Sequence, residues 1–142
     1  MRDCCNKNHY DAGPAPYAEN IKHMANHNNN FRTAIWTGCN LQMTLMSIPV
    51  CEDIGPEMHE DTDQFIRVEQ GFATAMFGRC KCHLDRSQRL CENDAIFVPA
   101  GTWHNIINTG NTPLKLSSIY APPNHPHGTI HITKEDAEYS EY

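Results

Sequence analysis

Glu57 and His59 stand two residues apart in the segment Glu57-Met58-His59-Glu60-Asp61-Thr62-Asp63-Gln64, and His104 follows the turn Pro99-Ala100-Gly101. In an extended chain side chains alternate faces, so Glu57 and His59 share one face while Met58 points to the other. A carboxylate and an imidazole on one face suit a single cation. Gln64 opens a new apolar run, Phe65-Ile66-Arg67-Val68, and His104 arrives much further along the chain. The four side chains Glu57, His59, Gln64 and His104 meet only if the sheet that carries them closes on itself.

The chain of 142 residues is near the commonest domain size and can bury about two-thirds of its extended-chain surface in one core. A formal net charge of −6 leaves no basic stripe to neutralise phosphates, which argues against nucleic-acid binding. No apolar run approaches the roughly 20 residues that span a bilayer, and Met1-Arg2-Asp3-Cys4-Cys5 is no signal-type apolar stretch. The expectation is a soluble, cytoplasmic protein whose partner is a small polar molecule. Seven cysteines, an odd number with no secretory signal, read as reduced thiols. Cys80-Lys81-Cys82-His83 carries soft-metal donors, but no second pair stands at finger-like spacing, and the plainer expectation is thiols on or near a loop. Cys4 and Cys5 belong to a frayed tail, and Cys39, Cys51 and Cys91 read as small residues flanking strands.

The elements that must position the donors follow from periodicity. Residues 1–30 are polar and broken by Gly13-Pro14-Ala15-Pro16 and Asn28-Asn29-Asn30, with a helical turn or two expected from Ala18 to Met24. Phe31 to Thr37, the turn Gly38-Cys39-Asn40 and the alternating run Leu41 to Ile48 predict a hairpin. Further strands are expected at Phe65 to Glu69, Phe72 to Phe77, Ala95 to Val98, Asn105 to Asn108 and Leu114 to Tyr120. Short, evenly spaced strands separated by Gly, Asn, Pro and Asp mark an all-β sandwich or barrel. The division is an irregular arm over 1–30, a barrel over 31–132 and a tail over 133–142 that forms a short helix, with Thr133 as N-cap and Asp136 at N3.

On these residues the chain resembles the cupin superfamily of antiparallel jelly-roll barrels, over about residues 40–121. The first cupin motif runs Gly, His-x-His, Glu, Gly; here Cys51 stands at the leading Gly, Glu57 at the first His, His59 at the second, Gln64 at the Glu and Gly71 at the closing Gly. The second motif is matched by Asn93, Pro99, Gly101, His104 and Asn108, with Asn93 in place of a Gly; Asn tolerates the left-handed backbone of a tight turn. The longer stretches Leu45 to Ile48, Asp63 to Val68, Ala95 to Asn108 and Ile119 to Gly128 resemble bacterial single-domain cupins labelled mannose-6-phosphate isomerase-like.

The resemblance implies one divalent ion, Zn, Fe, Mn or Ni, held by Glu57, His59, Gln64 and His104. Like the usual set of three His and one Glu, this set has a single carboxylate and leaves the ion a formal +1. Two His and one carboxylate leave positions open for a substrate. Gln64 either completes the set or hydrogen-bonds a ligand or metal-bound water, and Asp63 takes its place if the strand register differs by one residue. The activity implied is isomerisation or epimerisation of a small hydroxy-carbonyl compound, a sugar or sugar acid, with Glu57 and Gln64 as catalytic residues. Dioxygenation at iron(II) and a non-catalytic binding or sensing barrel are the alternatives. Exposed sheet edges make a homodimer the default assembly.

Pro122-Pro123-Asn124-His125-Pro126-His127-Gly128 and the following His131 form either a His-rich lip at the barrel mouth, able to carry protons, or a surface loop packed on the barrel. Trp36, Trp103, Phe65 and Phe97 are expected in the core or at a subunit contact. Arg67 falls on the strand face opposite Gln64, outside the pocket.

Overall fold

Alternation in the sequence becomes two antiparallel sheets with one core between them. The computed structural model describes residues 11–140. In chain order the elements are α1 (Ile21–His27), β1 (Arg32–Thr37), β2 (Gln42–Ile48), β3 (Asp63–Gln70), β4 (Ala73–Gly78), β5 (Arg86–Leu90), β6 (Ala95–Val98), β7 (Trp103–Asn108), β8 (Leu114–Ala121), β9 (Ile130–His131) and α2 (Lys134–Ser140). The larger sheet has the order β6-β3-β8-β2-β1-β9 and the smaller the order β5-β4-β7. Single bridges from Asp53 to Ile107 and from Glu57 to His104 add residues 53–57 beside β7.

Met46, Ile66, Val68, Leu114 and Leu116 from the larger sheet meet Ala73, Ala75, Leu90 and Ile106 from the smaller one in the main buried cluster. Each fully buried aliphatic side chain there contributes about 1.5–3 kcal/mol relative to exposure. The outer face of the larger sheet is also covered. Ile21, Met24 and Ala25 of α1 pack on Ile35, Met43 and Leu45, so the arm, irregular outside α1, lies against the barrel. The helix begins three residues later than expected because Asn20 caps it: its side chain accepts from the His23 N–H at 2.9 Å.

Two strands escaped the sequence pattern. Arg86-Ser87-Gln88-Arg89 has no apolar alternation, since β5 is a solvent-facing edge that buries only Leu90. The two-residue β9 is too short to carry a period. At the other end the expected cap is present: the Thr133 N–H donates to Asp136 Oδ2 at 3.1 Å, and the Asp136 N–H donates to Thr133 Oγ1 at 3.2 Å.

The turns that space the two motifs share one backbone property. Cys51, Gly71, Asn93 and Gly101 have φ of 68°, 99°, 76° and 82°. Asn93 does what was expected of it in the place of a glycine. Cys51 holds the same left-handed backbone with a Cβ, which costs roughly 1–2 kcal/mol.

Candidate metal centre

Glu57 and His104 face each other across the bridge that joins residues 53–57 to β7. The Glu57 N–H donates to the His104 carbonyl at 2.8 Å and the His104 N–H to the Glu57 carbonyl at 2.9 Å, so the two side chains leave the sheet on one face. His59, two residues on, shares that face, and its carbonyl accepts the Gly101 N–H at 2.8 Å. The turn that delivers His104 thereby also fixes the backbone of His59. One ligand atom from each of Glu57, His59 and His104 lies within 4.8 Å of the others.

The nitrogens are arranged for an electrophile. His104 Nδ1 lies 3.1 Å from the Thr102 carbonyl, which makes Nδ1 the donor and leaves Nε2 with its lone pair. That Nε2 is buried and has no hydrogen-bond partner, and the same holds for Gln64 Oε1. Such groups cost about 1–3 kcal/mol each when left unmet, so their presence points to an occupant. His59 Nε2 lies 3.5 Å from Glu57 Oε2. Burial lowers the pKa of His104, with His59 adding to the effect against the opposing pull of the Thr102 carbonyl and Glu57, so its imidazole is neutral as a ligand must be. For Glu57 burial works to raise the pKa, but His59, Arg32 and His104 outweigh it and keep the carboxylate ionised. This donor set, two imidazoles and one carboxylate, fits a divalent ion.

Gln64 lies beside Tyr120 in the register of β3 and β8, on the inner face, and its Nε2 donates to Ser118 Oγ at 3.3 Å. Asp63 is exposed and accepts the Ala100 N–H at 2.9 Å, whereas Gln64 is buried. Glu60 and Asp61 are exposed as well. Arg67 is on the outer face, its guanidinium donating to Asn93 Oδ1 at 2.9 Å. Asn108, which closes the second motif, is structural: its Nδ2 donates to the carbonyls of Ile48 and Thr112 at 3.0 and 2.9 Å.

The site opens into a cavity of about 600 Å³ lined by Glu57, His59, Lys81, Trp103, His125 and His131, among others. Trp103 is thus part of the cavity wall, where the sequence suggested core or subunit contact. Of the two readings of the histidine segment, His125 and His131 form the lip, while His127 turns outward to the Gly13 carbonyl at 2.8 Å. Tyr120 links the groups, its ring 5.7 Å from that of His59 and 5.2 Å from that of His125. Burial drives the His125 pKa down to about 3, helped by Arg32, so this imidazole is neutral at any ordinary pH.

Arg32 is the residue that sequence reasoning missed. It begins β1 pointing inward and is 2% exposed. Its Nη2 is 3.6 Å from Glu57 Oε1 and its Nη1 is 3.1 Å from His131 Nδ1. Nothing local marks it, because Arg32 and Glu57 are 25 residues apart in the chain and meet only in the folded protein. The consequence is electrostatic: the guanidinium offsets the Glu57 carboxylate, so a divalent ion held here would keep a formal +2 instead of the +1 counted from the ligands alone.

The Cupin domain family model matches residues 44–120 of this chain, and the chain belongs to that family. It is 56% identical over 131 residues to the protein YrkC of Bacillus subtilis (strain 168), covering 92% of this chain and 70% of that one. With the mimivirus protein L612 of Acanthamoeba polyphaga mimivirus it shares 43% identity over 119 residues, 83% of this chain and 72% of the other. The crystal structure of BH2720 from Bacillus halodurans superposes with a TM-score of 0.90 at 52% identity, over 92% of this chain and 98% of that one. KdgF from Halomonas sp. shares the fold at a TM-score of 0.57 and 20% identity, over 66% of this chain and 80% of that one.

Proposed function

We propose that this cupin holds one divalent metal ion through Glu57, His59 and His104, with Gln64 completing or bordering the set, and catalyses proton transfer on a small anionic hydroxy-carbonyl compound such as a sugar acid. The observation that carries the reading is His104, whose buried Nε2 is without a partner, grouped with Glu57 and His59, two residues that line an open cavity. An ion bound there would polarise a substrate carbonyl and so make the adjacent C–H more acidic.

The protein's own groups divide the remaining work. Among the described residues lining the cavity Glu57 is the one carboxylate, and its lowered pKa favours the ionised, proton-accepting form. Arg32 holds its Oε1 side and orients it. Gln64, which has no titrating proton, positions a substrate or water oxygen through hydrogen bonds. Tyr120, fully buried with a pKa raised by that burial, keeps its phenolic proton over the range in which Glu57 is ionised. Lys81 at the cavity wall and the Arg32 charge behind it favour an anion over a neutral sugar.

A homodimer agrees with the unpaired edge strand β6. There Phe97 is 77% exposed and packs edge-on against Phe65 at 5.0 Å, an apolar pair suited to a second copy. Among the described residues no helix is long and apolar enough to cross a membrane. Cys39, Cys51, Cys80, Cys82 and Cys91 are exposed and unbridged, which suits a reducing, cytoplasmic setting.

The test is incubation of protein loaded with Zn, Mn, Ni or Fe with aldoses, ketoses and uronates in deuterated water, reading deuterium at the carbon beside the carbonyl. Exchange with uronates that disappears in Glu57→Gln supports the proposal. Oxygen uptake by the iron form without exchange assigns the site to dioxygenation instead, and tight ligand retention with neither reaction assigns it to binding.

A further inference from the structure

We infer that the hairpin Cys80-Lys81-Cys82-His83 is a second metal site, for a thiophilic d¹⁰ cation with Zn²⁺ in first place, independent of the barrel site. The segment lies between β4 and β5. It closes as a four-residue turn in which the His83 N–H donates to the Cys80 carbonyl at 3.0 Å, and Cys80 and His83 form an antiparallel bridge. That pairing sets the first and last side chains beside each other, with Cys82 at the crest.

Three donors result. Cys80 Sγ, Cys82 Sγ and a ring nitrogen of His83 lie within 4.8 Å of one another, all exposed. The two sulfurs are 3.8 Å apart. A tetrahedral zinc with Zn–S bonds of about 2.3 Å needs sulfurs about 3.8 Å apart, so the thiols already span one edge of the coordination polyhedron. Soft thiolates select Zn²⁺ or Cu⁺ over the harder Mn²⁺ or Mg²⁺, which distinguishes this site from the His and carboxylate set of the barrel.

The backbone holds this arrangement. Gly78 sits under the turn, where an added Cβ would come within 2.0 Å of the His83 carbonyl oxygen, so only glycine lets the hairpin fold back this closely. Cys80 and His83 line a depression together with Asp85 and Thr102, from which water would supply a fourth ligand. The finger-like second pair that the sequence lacks is therefore unnecessary: one turn supplies three ligands. Lys81, between the two thiols, also lines the barrel cavity, so an ion at the turn would tie down the residue at the mouth.

The experiment uses the full chain, reduced and freed of metal, titrated with Co²⁺ as a spectroscopic stand-in for Zn²⁺. A sulfur-to-cobalt charge-transfer band that Zn²⁺ then displaces is expected. It should be lost in the double variant Cys80→Ser, Cys82→Ser, together with one equivalent of bound zinc. It should be retained in His59→Ala, His104→Ala, which removes only the barrel site, and in Cys4→Ser, Cys5→Ser. Because the three ligands are exposed, their replacement should leave the far-UV spectrum and denaturation midpoint unchanged. Absence of the band in the reduced protein, its persistence in the Cys80/Cys82 variant, or its loss in the Cys4/Cys5 variant would each overturn the assignment, as would a Cys80–Cys82 pair that responds only to oxidants.

Discussion

Replacing His125 by Phe should make the protein less sensitive to acid. Folded His125 titrates at about 3 against the ordinary 6.5, chiefly because of burial and then the Arg32 charge, with His131 and His59 adding to it and Glu57 opposing. Between those values the unfolded chain binds a proton that the folded chain refuses. Stability therefore falls as pH drops through this window, by up to about 1.4 kcal/mol per pH unit. From about pH 6.5 to about pH 4.5 the loss from this residue is roughly 2.3 kcal/mol, and the variant should not show it. Phe keeps a ring against Tyr120 and His131, and the loop stays anchored through its backbone. Gln42 Oε1 accepts the His125 N–H at 2.9 Å, and Gln42 Nε2 donates to the His125 carbonyl at 2.8 Å. Burial lowers the pKa of His104 and His131 too, but both remain in the variant and cancel in the comparison. The measurement is urea unfolding of metal-free wild type and variant at the two pH values. Parallel losses in the two proteins would refute the reasoning, since His125 would then be solvated and free to take its proton.

The other expectations concern the site and the edge. In a background lacking Cys80 and Cys82, His104→Ala should abolish binding of a divalent ion while His27→Ala, on the exposed face of α1, leaves it intact; Gln64→Leu should weaken it by about 10–100-fold, as loss of a supporting group does, all read by titration calorimetry. Arg32→Met should destabilise the metal-free protein by about 3–5 kcal/mol, because Glu57 is left without its buried partner, and metal loading should recover part of the deficit. The same variant should bind carboxylate ligands more weakly without losing the metal; an equal deficit with and without metal would contradict the pairing. Phe97→Lys should shift the protein from dimer to monomer in analytical ultracentrifugation with no change in metal content.

The two motifs and the strands between them were legible in the sequence because they rest on local rules. Alternation along Leu41 to Ile48 and the left-handed turns at Gly71, Asn93 and Gly101 depend on residues a few positions apart, and so does the Thr133–Asp136 cap. The two-residue spacing of Glu57 and His59 put both on one face before any partner strand was known. Sequence periodicity could not find β5, whose polar residues need no buried face, nor the length of β9. Whether Gln64 or Asp63 faces inward was a matter of register, which pairing with β8 decides, and the places of His125, His131 and Trp103 waited on which loops reach the cavity mouth. Arg32 is the sharpest case. Its burial and its contact with Glu57 arise from strands brought together by the closing of the sheets, and charge interactions in a low-dielectric interior depend on distance and burial, quantities that no spacing along the chain encodes.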